Sequence, residues 1–143
     1  MMNRQIVENT LMEMGMPATL KGFTYITDAV MLLDTLEWKS PKWTALYYKI
    51  AAINNDTPTR VERAIRSAFV STRNRVVDYD IIEHYIGFAN CENSSSLLHL
   101  YKNVKKEYPN DEQVSYSDII SYEDLVTLKD TLQKMLKLLR NVP

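Results

Sequence analysis

The stretch Thr57 to Arg75, TPTRVERAIRSAFVSTRNR, decides the reading of this 143-residue chain. At about 100° per residue it separates into two faces. Val61, Ala64, Ile65, Ala68 and Phe69 fall on one, and Thr59, Arg60, Arg63, Arg66, Ser67 and Arg73 on the other. Such a helix is gripped through its apolar face while its arginines reach a polyanion, which is the pattern of a recognition helix. Thr57-Pro58 opens it with a hydroxyl at the N-cap and proline at N1, where the missing N–H costs nothing. The helix is expected over about 57–72.

Immediately upstream, Ser40-Pro41 repeats that opening for a helix carrying Trp43, Leu46, Tyr47, Ile50 and Ala51 at i, i+3, i+4, i+7 and i+8. Asn54-Asn55-Asp56 separates the two helices, a polar turn of the length a helix-turn-helix uses. Asparagine has to supply any φ > 0 position there, which it tolerates. Further back, Thr27 to Trp38 reads as a helix with Thr27 as N-cap and Ala29, Val30, Leu32, Leu33 and Leu36 apolar. Lys21-Gly22 reads as a break before it. Gln5 to Met14 reads as the first helix, stopped by Gly15 with Pro17 following.

Downstream, Asp80 to Tyr85 makes a short helix closed by Gly87, and Asn93 to Tyr108 a longer one with Leu97, Leu98, Leu100, Tyr101 and Val104 apolar. Pro109 to Ser117 is a polar connection. The last helix, about Tyr122 to Val142, starts at a capping-box-like Ser121 and Asp124. Leu125, Leu128, Leu132, Met135, Leu139 and Val142 then keep an a/d spacing for about two and a half heptads. Two uses are open to that seam: covering the domain's own core, or binding a second copy or a protein partner. No run alternates long enough for a strand. The expected fold is all-α: residues 1–108 form a multi-helix domain around a helix-turn-helix, and 109–143 a loop plus an amphipathic docking or oligomerisation helix.

Composition narrows the function. An apolar share of 45% supports an ordinary core, and few glycines (3) and prolines (5) suit helices. Cys91 is alone, so neither a disulfide framework nor a cysteine metal cage is expected. No stretch approaches the roughly 18 apolar residues of a membrane span, and no signal peptide is visible. A soluble cytoplasmic protein is the expectation. His84 and His99 lack carboxylates at ligand spacing, and no Gly-rich phosphate loop or G-x-S-x-G is present. No cofactor, metal or catalytic residue is expected. Trp38, Trp43 and the nine tyrosines read as core. The net charge of −1 is unevenly spread: Lys39 to Arg75 holds eight basic residues against Asp56 and Glu62. That segment is +6 and the remainder −7, an electrostatic footprint confined to one region.

Two blocks carry a resemblance to a known family. Gly15-Met16-Pro17-Ala18-Thr19-Leu20-Lys21-Gly22-Phe23, continuing to Tyr25, Ile26 and Ala29, resembles the opening of the DNA-binding effector domain of the master response regulator of endospore formation. Thr59-Arg60-Val61-Glu62-Arg63-Ala64-Ile65-Arg66 resembles that family's recognition helix. The blocks stand in the family's order and at about its separation. The resemblance covers Gln5 to Gly87 and extends more loosely to Tyr108. It implies an all-helical domain of about six helices that regulates transcription in a spore-forming type of Gram-positive bacterium. By that resemblance Arg60 and Glu62 match residues that meet base edges, and Arg63 and Arg66 match basic positions at the base or phosphate surface. Ser67 stands where the family usually has histidine, so one base contact is altered. The family's phosphoacceptor receiver finds no counterpart in this sequence, and the segment from Pro109 extends beyond the family's end.

The chemistry of the expected site follows from groove geometry. An arginine in the major groove gives guanine O6 and N7 two parallel hydrogen bonds, worth roughly 1–3 kcal/mol of discrimination. Base contacts are expected from Arg60, Glu62, Arg63, Arg66 and Ser67. Two roles are open to Glu62: accepting from cytosine N4, or pairing with Arg66 at i, i+4 and aiming it. Lys42, Thr57, Thr59 and Arg73 are the expected phosphate clamps, which position without specifying. Double-stranded DNA is the expected partner. The alternative is a protein-interaction module working through the last helix, its arginine face serving only solubility.

Overall fold

The structure, a computed structural model, describes residues 2–35, 42–108 and 129–139. The chain divides into two units, Met1–Asn110 and Asp111–Pro143. The first holds α1 (Arg4–Glu13), α2 (Lys21–Leu33), α3 (Trp43–Asn54), α4 (Pro58–Asn74), α5 (Tyr79–Tyr85) and α6 (Asn93–Glu107). No strand occurs among the described residues. The fold class is all-α, as the sequence leads one to expect.

The central element is α2, which packs against α1, α3, α4 and α6. Phe23, Tyr25, Ile26, Ala29, Val30 and Leu33 are all buried, as suits a helix enclosed on nearly every side. It begins at Lys21, six residues before the expected N-cap, so Lys21-Gly22 opens a helix instead of breaking one. The reason lies in packing. Gly22 meets α4 so closely that a Cβ there would lie 2.3 Å from the Ala64 carbonyl oxygen and 2.6 Å from the Ala68 Cβ. Thr27 is buried inside the helix, and its hydroxyl donates to the Phe23 carbonyl at 2.9 Å instead of capping.

The other helix ends follow local chemistry. The Asn3 side chain accepts from the Gln5 N–H at 2.8 Å to cap α1, and Gly15 takes φ +86 after it. Asp78 caps α5 by accepting from Asp80 and Ile81, and Gly87 turns the chain at φ +68. The N-cap of α3 is Lys42, with no side-chain cap bond. That start is two residues later than expected, and Ser40 and Pro41 lie outside the described residues.

The core runs through Val7, Leu11, Ile26, Val30, Leu46, Ile50, Ile65, Phe69, Leu97 and Leu100. Two buried carboxylates tie its edges. Asp28 takes Arg4 Nη1 at 2.6 Å and Asn54 Nδ2 at 2.7 Å, joining α1, α2 and α3. Asp34, after α2, accepts from the Met2 backbone N–H at 2.6 Å and the Tyr101 hydroxyl at 3.1 Å, with Lys105 Nζ at 3.2 Å.

In the second unit residues 129–139 are helical, and Leu132, Met135, Leu136, Leu138 and Leu139 are exposed. This apolar surface is broader than an a/d seam alone, because Leu136 and Leu138 flank it. Leu125, Leu128, Val142, the Ser121 cap and the 109–117 connection lie outside the described residues.

The α2–α4 contact sets the first prediction. Gly22→Ala should cost about 1–3 kcal/mol, since the new Cβ meets backbone that cannot yield cheaply. Urea denaturation checks it.

Candidate nucleic-acid interface

The approach to α4 is shaped by three consecutive residues. Asn55 ends α3 in the left-handed region at φ 53, ψ 50, the role the turn demands of an asparagine. Asp56 follows, and Thr57 caps α4, its Oγ1 accepting from the Arg60 N–H at 3.3 Å with Pro58 in the first turn. The helix then runs to Asn74, two residues past the expected end. Val61, Ile65, Ala68, Phe69 and Thr72 bury one face. Thr59, Arg60, Arg63, Arg66 and Ser67 stand exposed on the other.

The arginines differ in their surroundings. The Arg60 side chain is 77% exposed and only loosely paired, 3.9 Å from Asp56. Arg66 Nη1 lies 3.2 Å from Glu62 Oε1, yet its side chain is still 56% exposed. Of the two roles open to Glu62, the pairing with Arg66 is therefore present in the free chain. Arg63 has no ion pair among the described residues. Lys42 is exposed at the start of α3, and Thr59 at the start of α4.

Arg73 sits elsewhere. It is buried at 7% exposure, donating through Nε to the Gly87 carbonyl at 2.8 Å and through Nη2 to the Ile86 carbonyl and to Ser96 Oγ at 2.7 Å. The expectation that it clamps phosphate is corrected: its donors are turned inward onto the end of α5 and onto α6. Burial without a carboxylate partner lowers its pKa from the ordinary value, and the Ile86 and Gly87 carbonyls, just past the C-terminal, negative end of α5, offset part of the charge.

Two residues outside the expected site set its geometry. The Tyr25 hydroxyl donates to Asp56 Oδ2 at 2.5 Å, and the Thr57 N–H to Asp56 Oδ1 at 2.8 Å. These bonds, Tyr25's first, hold the Asp56 carboxyl below its usual range. Burial, reinforced by that carboxylate, pushes the Tyr25 phenol up to about 12. The turn is thus pinned to α2 beneath the first turn of α4. No local pattern announces this pair, which is separated by 31 positions. On the far side, Asn93 at the start of α6 donates to the Glu62 carbonyl at 2.9 Å.

Residues 7–99, from α1 into α6, match the family model described as sporulation initiation factor Spo0A C terminal. The chain belongs to this family. Its members are DNA-binding effector domains of transcription regulators acting on double-stranded DNA, and the family is not a catalytic one. The match takes in α3, the turn and the whole of α4. Among the described residues no helix is long and apolar enough to cross a membrane, and no group of three or more His, Cys, Asp or Glu is placed to hold a metal ion.

Replacing Arg73 with Met should cost about 1–3 kcal/mol, because the carbonyls it serves are left unpaired. The folded protein should keep its DNA affinity, which separates a structural arginine from a clamp; urea melts and DNA titrations read the two effects. For Asp56, a lowered folded-state pKa means its stabilising contribution is complete above the unfolded value, about 4, and is lost as pH falls through the folded one. Asp56→Asn should flatten the acid limb of the stability profile, measured as urea midpoints from about pH 6 to pH 2.

Proposed function

We propose that this chain is a sequence-specific transcription regulator of a bacterial cytoplasm that reads the DNA major groove with α4, α3 and α4 acting as a helix-turn-helix. The observation that carries the reading is the row Arg60, Arg63 and Arg66, exposed on a helix whose opposite face is locked into the core. Arg60 and Arg63 are short of strong intramolecular partners and are available for bidentate bonds to guanine. Glu62 holds Arg66 at a set orientation, which lowers the entropy lost when that guanidinium meets a base or phosphate. Lys42, Thr57 and Thr59 lie where α3 and α4 begin and contact phosphates, giving register without sequence information.

A second reading has one observation in its favour. Leu132, Met135 and Leu139 are exposed on a helix, and with Leu125 and Leu128, which continue the spacing in the sequence, they are proposed as the surface for a second copy or a protein partner. Deleting 109–143 and measuring the oligomeric state in solution tests it: a monomer from a parental dimer supports self-association, and an unchanged number of subunits removes that role.

The DNA reading predicts a split between two substitutions. Arg60→Ala should cost about 1–3 kcal/mol on the preferred duplex and relax preference at one base pair. Lys42→Ala should weaken binding to all duplexes alike and lower the salt slope by about 1. Anisotropy titrations on sequences selected from a random pool read both, and unchanged affinity in both variants would sink the assignment of α4.

A further inference from the structure

Two grooves flank the exposed face of α4. One is lined by Thr44 and Tyr47 of α3 with Pro58, Thr59 and Glu62. The other is lined by Leu20, Lys21 and Gly22 at the start of α2 with Ala64, Ser67 and Ala68. At about 100° per residue, Thr59 and Glu62 lie on one side of Arg63, and Ala64 and Ala68 on the other. A helix in the major groove lies between two sugar–phosphate strands, so each flank of α4 faces one of them. Lys42 and Thr59 serve the α3 flank, and Thr57 caps the helix at its entrance. The α2 flank has no phosphate contact assigned to it.

We propose that the groove between α2 and α4 seats one phosphodiester of the bound duplex, held by Lys21 from α2 and Ser67 from α4. The site rests on the reading of α4 as the groove-entering helix. Lys21 is exposed and is the one basic residue of α2. The contact of Gly22 with the Ala64 backbone keeps Lys21 directly beside α4. Ala64 and Ser67 are small, so the space above that contact stays open. The Ser67 hydroxyl barely rises above the helix surface. With Arg60 and Arg63 spacing the helix from the bases, it reaches a phosphate oxygen on the flank and not a base edge. Family resemblance places Ser67 at a base-contact position; its place in this groove assigns it to the backbone. Asp56, the acid near this flank, turns its carboxylate to Tyr25 and Thr57, so it does not occupy Lys21 as a close partner.

The test uses the full chain, with wild type, Lys21→Ala, Lys21→Arg, Ser67→Ala and the double alanine variant titrated on duplexes across a salt series. Because Lys21 is exposed, the alanine variant should melt like wild type. Lys21→Ala should weaken every duplex alike, by about five- to tenfold near 0.1 M salt, and lower the log–log salt slope by about 0.9, the share of one phosphate. Lys21→Arg should restore the slope. Ser67→Ala should have a smaller effect that disappears in the Lys21→Ala background, since both groups serve one phosphate. A neutral methylphosphonate scanned along the duplex should show one position that weakens wild type and leaves Lys21→Ala unaffected. Inorganic phosphate should compete no better than chloride at equal ionic strength; selective competition would make this a free-anion site and overturn the proposal. An unchanged slope for Lys21→Ala, with wild type still binding, overturns the site alone. Failure of wild type to bind any duplex overturns the reading of α4 and this site with it.

Discussion

The close approach of α2 and α4 at Gly22 is the constraint on which the rest of this molecule depends. Two helices come within backbone contact only where one of them has no Cβ, and the Ala64 carbonyl and Ala68 methyl fill the space that a side chain at position 22 would take. That contact sets how deep α4 sits and how far it is rolled. Its apolar row is driven onto α2 and its arginine row is turned outward as a consequence. The Tyr25–Asp56 bond fixes the start of α4 against the same helix. α4 is thus held at its side and at its entrance by one partner, which is what a preorganised reading surface requires.

Buried charge is handled in two ways here. Asp28 and Asp34 gather cationic and neutral donors from distant helices, while Arg73 is answered by backbone carbonyls and a serine. These bonds offset much of a burial that would otherwise cost several kcal/mol, although Arg73 Nη1 is buried with no hydrogen-bond partner. The treatment of Arg73 also alters the electrostatics of the surface. One of the basic residues that make the 39–75 segment positive belongs to the interior, so the outward-facing charge is carried by fewer arginines than the sequence suggests.

Much of α4 was legible because its determinants are local. The Thr57 cap, Pro58 and the two-faced repeat lie within one segment, and Asn55 stands where the turn needs a left-handed residue. The start of α2 was illegible for the opposite reason: Gly22 reads as a breaker until Ala64, 42 positions later, is seen to need its missing side chain. Arg73 projects to the border between the two faces of α4, and only the arrival of Ile86 and Gly87 decides which side it joins. The Tyr25–Asp56 pair and the position of Lys21 are products of tertiary packing, with no periodicity to mark them. Family membership rested on two sequence blocks, and those blocks turn out to be the surfaces where α2 and α4 meet.

Asp34 has a topological consequence. It binds Met2 near the beginning of the first unit and lies against Lys105 and Tyr101 near its end, so the entry and exit of this fold share one corner. Lys21 and Asp34 bracket α2, which at about 1.5 Å per residue puts that corner roughly 20 Å along the helix from the arginine-bearing side. A short peptide joining the two ends of the first unit would close that unit into a ring with little strain, and new termini could then be opened in a connecting loop. The fold can be spliced, tethered or re-ordered at that corner while the surface around Arg60 and Arg63 stays clear of the seam.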